Sequence, residues 1–313
     1  MRVVLQYRAS DGFRAQIDEA FGPGAVAVID ETDAPAFAAA MVDAEVLLHV
    51  LKPVTAEVIA AAPRLRLIQK IGVGVNTIAL DAARGRGIAV CNMPGTNSQA
   101  VAEMALSLLM ACLRRTPYFD ALTRAGQGWS PDAAVLDATG EIAGRTVGLV
   151  GFGQAARRLA PVLEALGARV IYTARSVRPD APHAYRELDE LLAEADVVSL
   201  HIPLTEETRG LIGAQALARM RPGAILINTA RGELVDEAAL VQALASGRLR
   251  AAGLDVFARE PTPADNPLLA LPQVVLAPHV AWLTPETLQR SLVVAHENVR
   301  RLAAGEPLLH QVV

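Results

Sequence analysis

Cysteine is scarce, positive charge is not in excess and no apolar run is long, and each of these lacks excludes something. The two cysteines, Cys91 and Cys112, do not stand at metal-ligand spacing. Cys91 follows Ile88-Ala89-Val90 and Cys112 lies in a helix-like Ala/Leu/Met segment, so both read as small buried hydrophobes and no metal is expected. A formal net charge of −4 leaves no basic footprint for DNA or RNA. The longest apolar stretches, such as 224–227, fall far short of a membrane span. Met-Arg-Val-Val-Leu-Gln-Tyr breaks at Arg8 and reads as a short strand, not as the apolar core of a signal peptide. The expected setting is the cytoplasm, with a small molecule as partner and neither nucleic acid nor membrane.

What is present is a globular composition: 52% hydrophobic and 20% charged residues exclude intrinsic disorder. A chain of 313 residues is long for one core and suits two domains. Short β-rich runs alternate with helical segments from end to end, as in parallel sheets covered on both faces. The first series of strands is predicted at 3–6, 26–29, 46–50, 67–70 and 88–90, with helices such as 35–42 and 55–61 between them. The second series is predicted at 147–150, 170–173, 197–201, 225–228, 252–255 and 274–277, with helices at 154–166, 214–220 and 236–246. A long helix over 98–116 bridges the two series, and the segment from Gly126 to Pro131 reads as a loop. Thr284-Pro285-Glu286 has the N-cap, proline and acidic first turn of a helix start. That closing helix has no place in the second sheet and is expected to pack on the first domain. The predicted fold is α/β with two doubly wound parallel-sheet domains. A Rossmann dinucleotide-binding domain covers 99–283, and a smaller flavodoxin-like substrate domain is built from 1–98 and 284–313.

The second series opens on Val147-Gly148-Leu149-Val150-Gly151-Phe152-Gly153-Gln154-Ala155-Ala156. This is a strand, a glycine turn and a helix start in the pattern Gly-x-Gly-x-x-Ala. Gly151 turns the chain, Gly153 lets a pyrophosphate approach the backbone, and Ala156 keeps the helix close to its strand. The amides of a helix start at Gln154 and Ala155 favour phosphate. About 20 residues on, an NAD site carries an acidic residue for the adenosine ribose. Here the chain reads Thr173-Ala174-Arg175-Ser176-Val177-Arg178. Ala174 leaves the acidic position empty, while Arg175, Ser176 and Arg178 offer a 2′-phosphate two cations and a hydroxyl. NADP is the expected cofactor, with NAD as the alternative if the arginines are only solvated loop residues.

Open parallel sheets bind ligands outside the carboxyl ends of their strands. Along that edge stand Gly151 and Gly153, then Arg175, His201, Thr229 to Arg231, Asp255 and Pro278-His279. Hydride transfer to a keto acid needs a cation for the carboxylate and a proton donor for the ketone oxygen. Arg231 can pair with a carboxylate, His279 can donate the proton, and Glu260 follows a third strand and can support an imidazolium. Taken singly, these residues read better as a surface ion pair, a capped loop histidine and a solvated loop charge. Their arrival at three strand ends above one glycine turn is what favours a site.

The ordered motifs resemble the D-isomer-specific 2-hydroxyacid dehydrogenases over nearly the whole length. They are Gly72-Val73-Gly74-Val75-Asn76, Asn92-Met93-Pro94-Gly95, Ala100-Val101-Ala102-Glu103, the Gly151 turn and His201-Ile202-Pro203-Leu204-Thr205. Asn228-Thr229-Ala230-Arg231-Gly232, Gly253-Leu254-Asp255-Val256-Phe257, Glu260-Pro261 and Pro278-His279 complete the set. The resemblance implies Arg231, Glu260 and His279 as the catalytic residues. It implies a substrate carboxylate on the Val73 and Gly74 amides, and Asp255 as the contact of the nicotinamide amide. It extends the cofactor set to Thr96, Pro203, Thr208, Ala230 and Ala281, and the substrate set to Trp282. Lys52 is either a further substrate cation or a solvated lysine. Ala174 and His279-Val280-Ala281-Trp282 are similar to the NADPH-using glyoxylate and hydroxypyruvate reductases, whereas formate dehydrogenases place Gln where Glu260 stands. Phe13, His49, Val50 and Leu51 are further candidates for a substrate pocket. A homodimer built on 98–145 is implied as well. An NAD(P)-sensing binding protein without turnover and a same-fold phosphite dehydrogenase are the competing expectations.

Overall fold

Runs rich in Val, Ile and Leu become strands buried on both faces, because helical crossovers cover each side of a parallel sheet. The computed structural model describes residues 1–313, which divide into two units, Met1–Asn97 with Trp282–Val313, and Ser98–Ala281. No helix is long and apolar enough to cross a membrane.

The first unit holds β1 (Val3–Gln6), β2 (Val26–Ile29), β3 (Val46–His49), β4 (Leu67–Lys70) and β5 (Ala89–Cys91), in the order β2-β1-β3-β4-β5. All pairings are parallel, which is the flavodoxin-like order. Side chains alternate between two cores: Val3, Leu5, Val46, Leu48 and Leu67 face one, and Val4, Leu47, Ile68 and Val90 the other. The helix Pro285–Ala304 belongs to this unit and packs on the helix Asp11–Phe21. Thr284 caps its start by accepting from the Thr287 amide at 3.1 Å, and Gly305 ends it in the left-handed conformation. Asn298, fully buried on this helix, donates to Gln69 Oε1 at 2.6 Å and accepts from the Leu309 amide at 2.7 Å.

The second unit holds β6 (Thr146–Val150), β7 (Arg169–Thr173), β8 (Ala184–Tyr185), β9 (Val197–Leu200), β10 (Ala224–Asn228), β11 (Leu249–Leu254) and β12 (Val274–Leu276). Their order is β12-β11-β10-β9-β6-β7-β8, again all parallel. The expectation of six strands is corrected to seven. The missed strand, β8, is the third of the Rossmann order, and β12 lies beyond the sixth. β8 is two residues long and carries an exposed Ala184, so no apolar alternation announces it; only its pairing with β7 makes it a strand. The helix Ser98–Arg114 buries Ala105, Leu108, Leu109 and Cys112 against this sheet. Both thiols are buried, which pushes Cys91 up to about 11 and Cys112 up to about 12.

Candidate functional site

The site is assembled from the turns that follow β6, β7, β9, β10, β11 and β12 in the 98–281 unit. Gly151, directly after β6, has a φ of +94°, and a Cβ on it would stand 2.6 Å from the His201 carbonyl oxygen. Only glycine makes that turn against the end of β9. Gly153 then caps the helix Gln154–Ala165, and a Cβ there would meet nothing within 4 Å. Ala156 is fully buried among the core residues beside β6, so the helix lies close to its strand. The first-turn amides, which have no intrahelical acceptor, thus rise beside an open backbone surface. This arrangement fits a dinucleotide pyrophosphate.

After β7 the chain exposes Arg175, Ser176 and Arg178, with Ala174 half-buried. The loop is pinned by the Arg178 amide, which donates to the Tyr172 hydroxyl at 2.8 Å. Arg157 nearby is committed to Asp180 at 2.7 Å, whereas Arg175 and Arg178 enter no ion pair. At the end of β9, burial pushes His201 down to about 4, which keeps its imidazole neutral, and Nε2 lies 2.9 Å from Ser199 Oγ. The Thr208 hydroxyl donates to the Pro203 carbonyl at 2.8 Å and accepts from the Thr205 amide at 2.7 Å, bracing the turn.

Asn228, at the end of β10, organises the next loop. Its amide accepts from the Ala230 N–H at 3.0 Å and donates to the Arg231 carbonyl at 2.8 Å. Thr229 Oγ1 is buried without a hydrogen-bond partner. Arg231 is half-buried, its Nη1 donating to the Ala230 carbonyl at 2.6 Å. Burial lowers the guanidinium pKa, against the charges of Glu260 and Glu233. Gly232 then presses on the next loop: a Cβ on it would lie 1.9 Å from the Phe257 carbonyl carbon. No side chain fits there, and that close approach sets the Arg231 turn directly against the Phe257–Glu260 turn.

Asp255, fully buried at the end of β11, holds the histidine turn. Its carbonyl accepts from the His279 amide at 2.7 Å, and its two carboxylate oxygens accept from Val280 at 2.9 Å and Ala281 at 2.8 Å. Burial raises its pKa, against the Ala281 and Val280 amides. His279 itself takes a left-handed φ of 57°, a costly conformation for a non-glycine residue that these bonds over-determine. Its Nδ1 lies 2.6 Å from Glu260 Oε2, while Glu260 Oε1 accepts from the Phe257 amide at 2.9 Å. Burial pushes the Glu260 carboxyl up, but the bond to His279, its charge, the Phe257 amide and Arg231 outweigh it, and the net pKa is lowered.

Sequence reasoning misses two supporting residues. Asn228 reads in the sequence as the end of a strand and the first residue of a motif, with no role of its own. Glu237, at the start of the helix Glu237–Ala245, accepts from the Ala258 amide at 2.6 Å and from Asn266 Nδ2 at 3.1 Å, tying down the Glu260 loop. An acidic first turn is what any helix start shows, so nothing local marks it.

Lys52, Val73, Gly74, Thr96 and Trp282 belong to the other unit. There Val73 is 45% exposed, its carbonyl accepts from Asn92 Nδ2 at 3.0 Å, and Gly72 accepts from the Met93 amide at 2.8 Å. Thr96 Oγ1 donates to the Met93 carbonyl at 3.2 Å. Lys52 is exposed, and its carbonyl lies 2.7 Å from His49 Nε2. Phe13, His49, Val50 and Trp282 are buried, Trp282 with its ring 6.4 Å from Tyr7, and Leu51 is exposed.

Residues 106–281 match the family model described as D-isomer specific 2-hydroxyacid dehydrogenase, NAD binding domain. D-3-phosphoglycerate dehydrogenase of Mycobacterium tuberculosis is 43% identical over 283 residues, 89% of this chain and 53% of that one. The chain thus spans about half the length of those relatives. Glyoxylate reductase of Korarchaeum cryptofilum is 41% identical over 272 residues, 84% of this chain and 81% of that one. A crystal structure of a Thermus thermophilus protein superposes with a TM-score of 0.89 and 38% identity, covering 100% of both chains.

Proposed function

Because this chain belongs to the family of D-isomer-specific 2-hydroxyacid dehydrogenases, we propose that it transfers hydride between NADP(H) and a small 2-keto acid or D-2-hydroxy acid, in the manner of a glyoxylate or hydroxypyruvate reductase. The observation that carries this reading is the imidazole of His279, held at 2.6 Å by Glu260 on a turn packed against that of Arg231. The nicotinamide cofactor, when bound, supplies or accepts the hydride. The amides after Gly151 and Gly153 would hold its pyrophosphate, and Arg175, Ser176 and Arg178 its 2′-phosphate. The absence of a carboxylate at Ala174 removes the group that would repel that phosphate.

Glu260 on Nδ1 leaves proton exchange to Nε2 of His279, which delivers a proton to the ketone oxygen in reduction and withdraws one from the hydroxyl in oxidation. Arg231 binds the substrate carboxylate and polarises the carbonyl; a half-buried guanidinium is favoured for that work because little water screens it. Asp255 orders the His279 turn through the amides of Val280 and Ala281. The Val73 and Gly74 amides, which have no acceptor in the protein, suit a carboxylate.

The 43% identity with D-3-phosphoglycerate dehydrogenases supports a second reading, in which the substrate carries a phosphate. One panel separates them: NADPH and NADH oxidation with glyoxylate, hydroxypyruvate, pyruvate and phenylpyruvate, and NAD(P) reduction with D-3-phosphoglycerate and phosphite. Fastest NADPH oxidation with glyoxylate or hydroxypyruvate is expected, falling by about 10²–10⁴ in His279→Ala while NADPH still binds. No turnover with any substrate would point to a nucleotide-sensing protein, and wild-type turnover in His279→Ala would remove that residue from the mechanism. The family resemblance also supports a dimer through 98–145, where Trp129 is 96% exposed.

A further inference from the structure

The end of the 98–281 sheet opposite the glycine turn carries a second concentration of charge. Arg250 is at the start of β11, Arg115 follows the helix Ser98–Arg114, and Arg145 precedes β6; all three are half-buried. A Cβ on Gly140 would stand 2.6 Å from Nη2 of Arg145 and 3.4 Å from Nη1 and Nη2 of Arg250, so two guanidinium groups crowd one point. Arg115 and Arg250 line an open cleft with Pro117, Tyr118, Pro272 and Gln273. The Arg115 guanidinium lies 5.4 Å from the Tyr118 ring centre.

No carboxylate pairs with any of the three. Arg250 Nη2 donates to the carbonyls of Leu113, at 3.5 Å, and Ala138, and Arg145 Nε to that of Glu141, at 2.6 Å. With five N–H donors on each guanidinium, most are left without a protein acceptor. Burial, then the charges of Arg145 and Arg115, lowers the Arg250 pKa. Like charges gathered without a counter-charge repel, and an anion in the cleft would turn that repulsion into attraction. We propose that Arg115, Arg145 and Arg250 form a binding site for a small dianion, a phosphate or phosphate monoester, separate from the surface assigned to the cofactor. The Tyr118 and proline walls suit the carbon portion of a monoester.

Inorganic phosphate is the probe, compared with chloride at equal ionic strength by thermal unfolding and calorimetry, with glycerol phosphate as the monoester arm. The Arg175→Ala/Arg178→Ala protein is the background, so that phosphate bound at the cofactor surface does not count. In that background phosphate at ten times its Kd should raise Tm by about 3 °C. Arg115→Ala and Arg145→Ala should each weaken phosphate binding at least about tenfold. Arg250 is left intact because it ties the end of the helix Ser98–Arg114 and the segment at Ala138 to the sheet. Absence of a phosphate effect in the background protein, or an undiminished effect in both single variants, would overturn the proposal. Sedimentation supplies the last arm: an oligomer that Arg115→Ala splits, with no phosphate effect, means that a carboxylate of a second copy fills the cleft, and the proposal fails. None of these readouts requires turnover, so the proposal can fail while the dehydrogenase reading stands, and the converse.

Discussion

Glu260→Gln removes one charge and keeps the shape of the side chain, which makes it the sharpest probe of the His279 pair. An imidazolium and a carboxylate in contact attract by about 4 kcal/mol at an effective dielectric of 20. The His279 and Glu260 side chains are 20% and 34% exposed, so solvent screening reduces this to about 2 kcal/mol. That amounts to about 30-fold in any step that needs the imidazolium. A second effect adds to it. The Phe257 amide holds the side-chain oxygen that it already holds in Glu260, so the new amide nitrogen faces Nδ1. Nδ1 must then accept rather than donate, which puts the proton of the neutral ring on Nε2 and removes the base needed for oxidation. We expect kcat to fall at least about 30-fold in reduction and further in oxidation. Steady-state rates with NADPH and a 2-keto acid, and with NADP and a D-2-hydroxy acid, measure this. A Glu260→Gln protein whose rates in both directions equal those of wild type would refute the role of the pair.

Arg175→Ala/Arg178→Ala should raise KM for NADPH by about 10- to 100-fold and leave KM for NADH within about twofold; equal effects on both would return the two arginines to the solvent. Gly232→Ala drives a methyl into the Phe257 carbonyl and should cost about 3 kcal/mol or more in denaturant unfolding, with activity lost at temperatures where the protein is still folded. An unchanged transition would mean that the two loops do not press on one another. Burial, then the Lys70 charge, pushes the imidazole of His49 down to about 3, against its bond to the Lys52 carbonyl. The unfolded chain therefore takes up this proton first. The stability contributed is complete above pH 6.5 and falls by about 2–3 kcal/mol on going to pH 4.5. Urea titrations of wild type and His49→Gln at both pH values should differ by that amount, and parallel losses would exclude His49 as the source.

Legibility from sequence followed locality. Val147-Gly148-Leu149-Val150 and Ile225 to Asn228 declare buried parallel strands because each residue carries its own burial signal within a few neighbours. The glycine turn after β6 is equally local, since Gly151 and Ala156 act through the strand and helix that they join. β8 stayed hidden because two residues carry no period, and the expectation of six strands went wrong there. Asn228 and Glu237 stayed hidden for another reason: their partners, Arg231 and Ala230 for one and Ala258 and Asn266 for the other, are reached only once the loops have been placed.

The chain on its own determined which segments are strands and helices, where the glycine turn lies, and that Arg231, Glu260 and His279 each follow a strand. Tertiary structure alone decided that Glu260 meets Nδ1 of His279 at 2.6 Å, that Gly232 brings two turns into contact, and that three arginines gather without a carboxylate. The difference is physical. Periodicity and turn chemistry are written in neighbours a few residues apart, whereas a hydrogen bond between residues 19 apart, or charges gathered from positions 115, 145 and 250, exists only after the sheet has set the register of every loop at its ends.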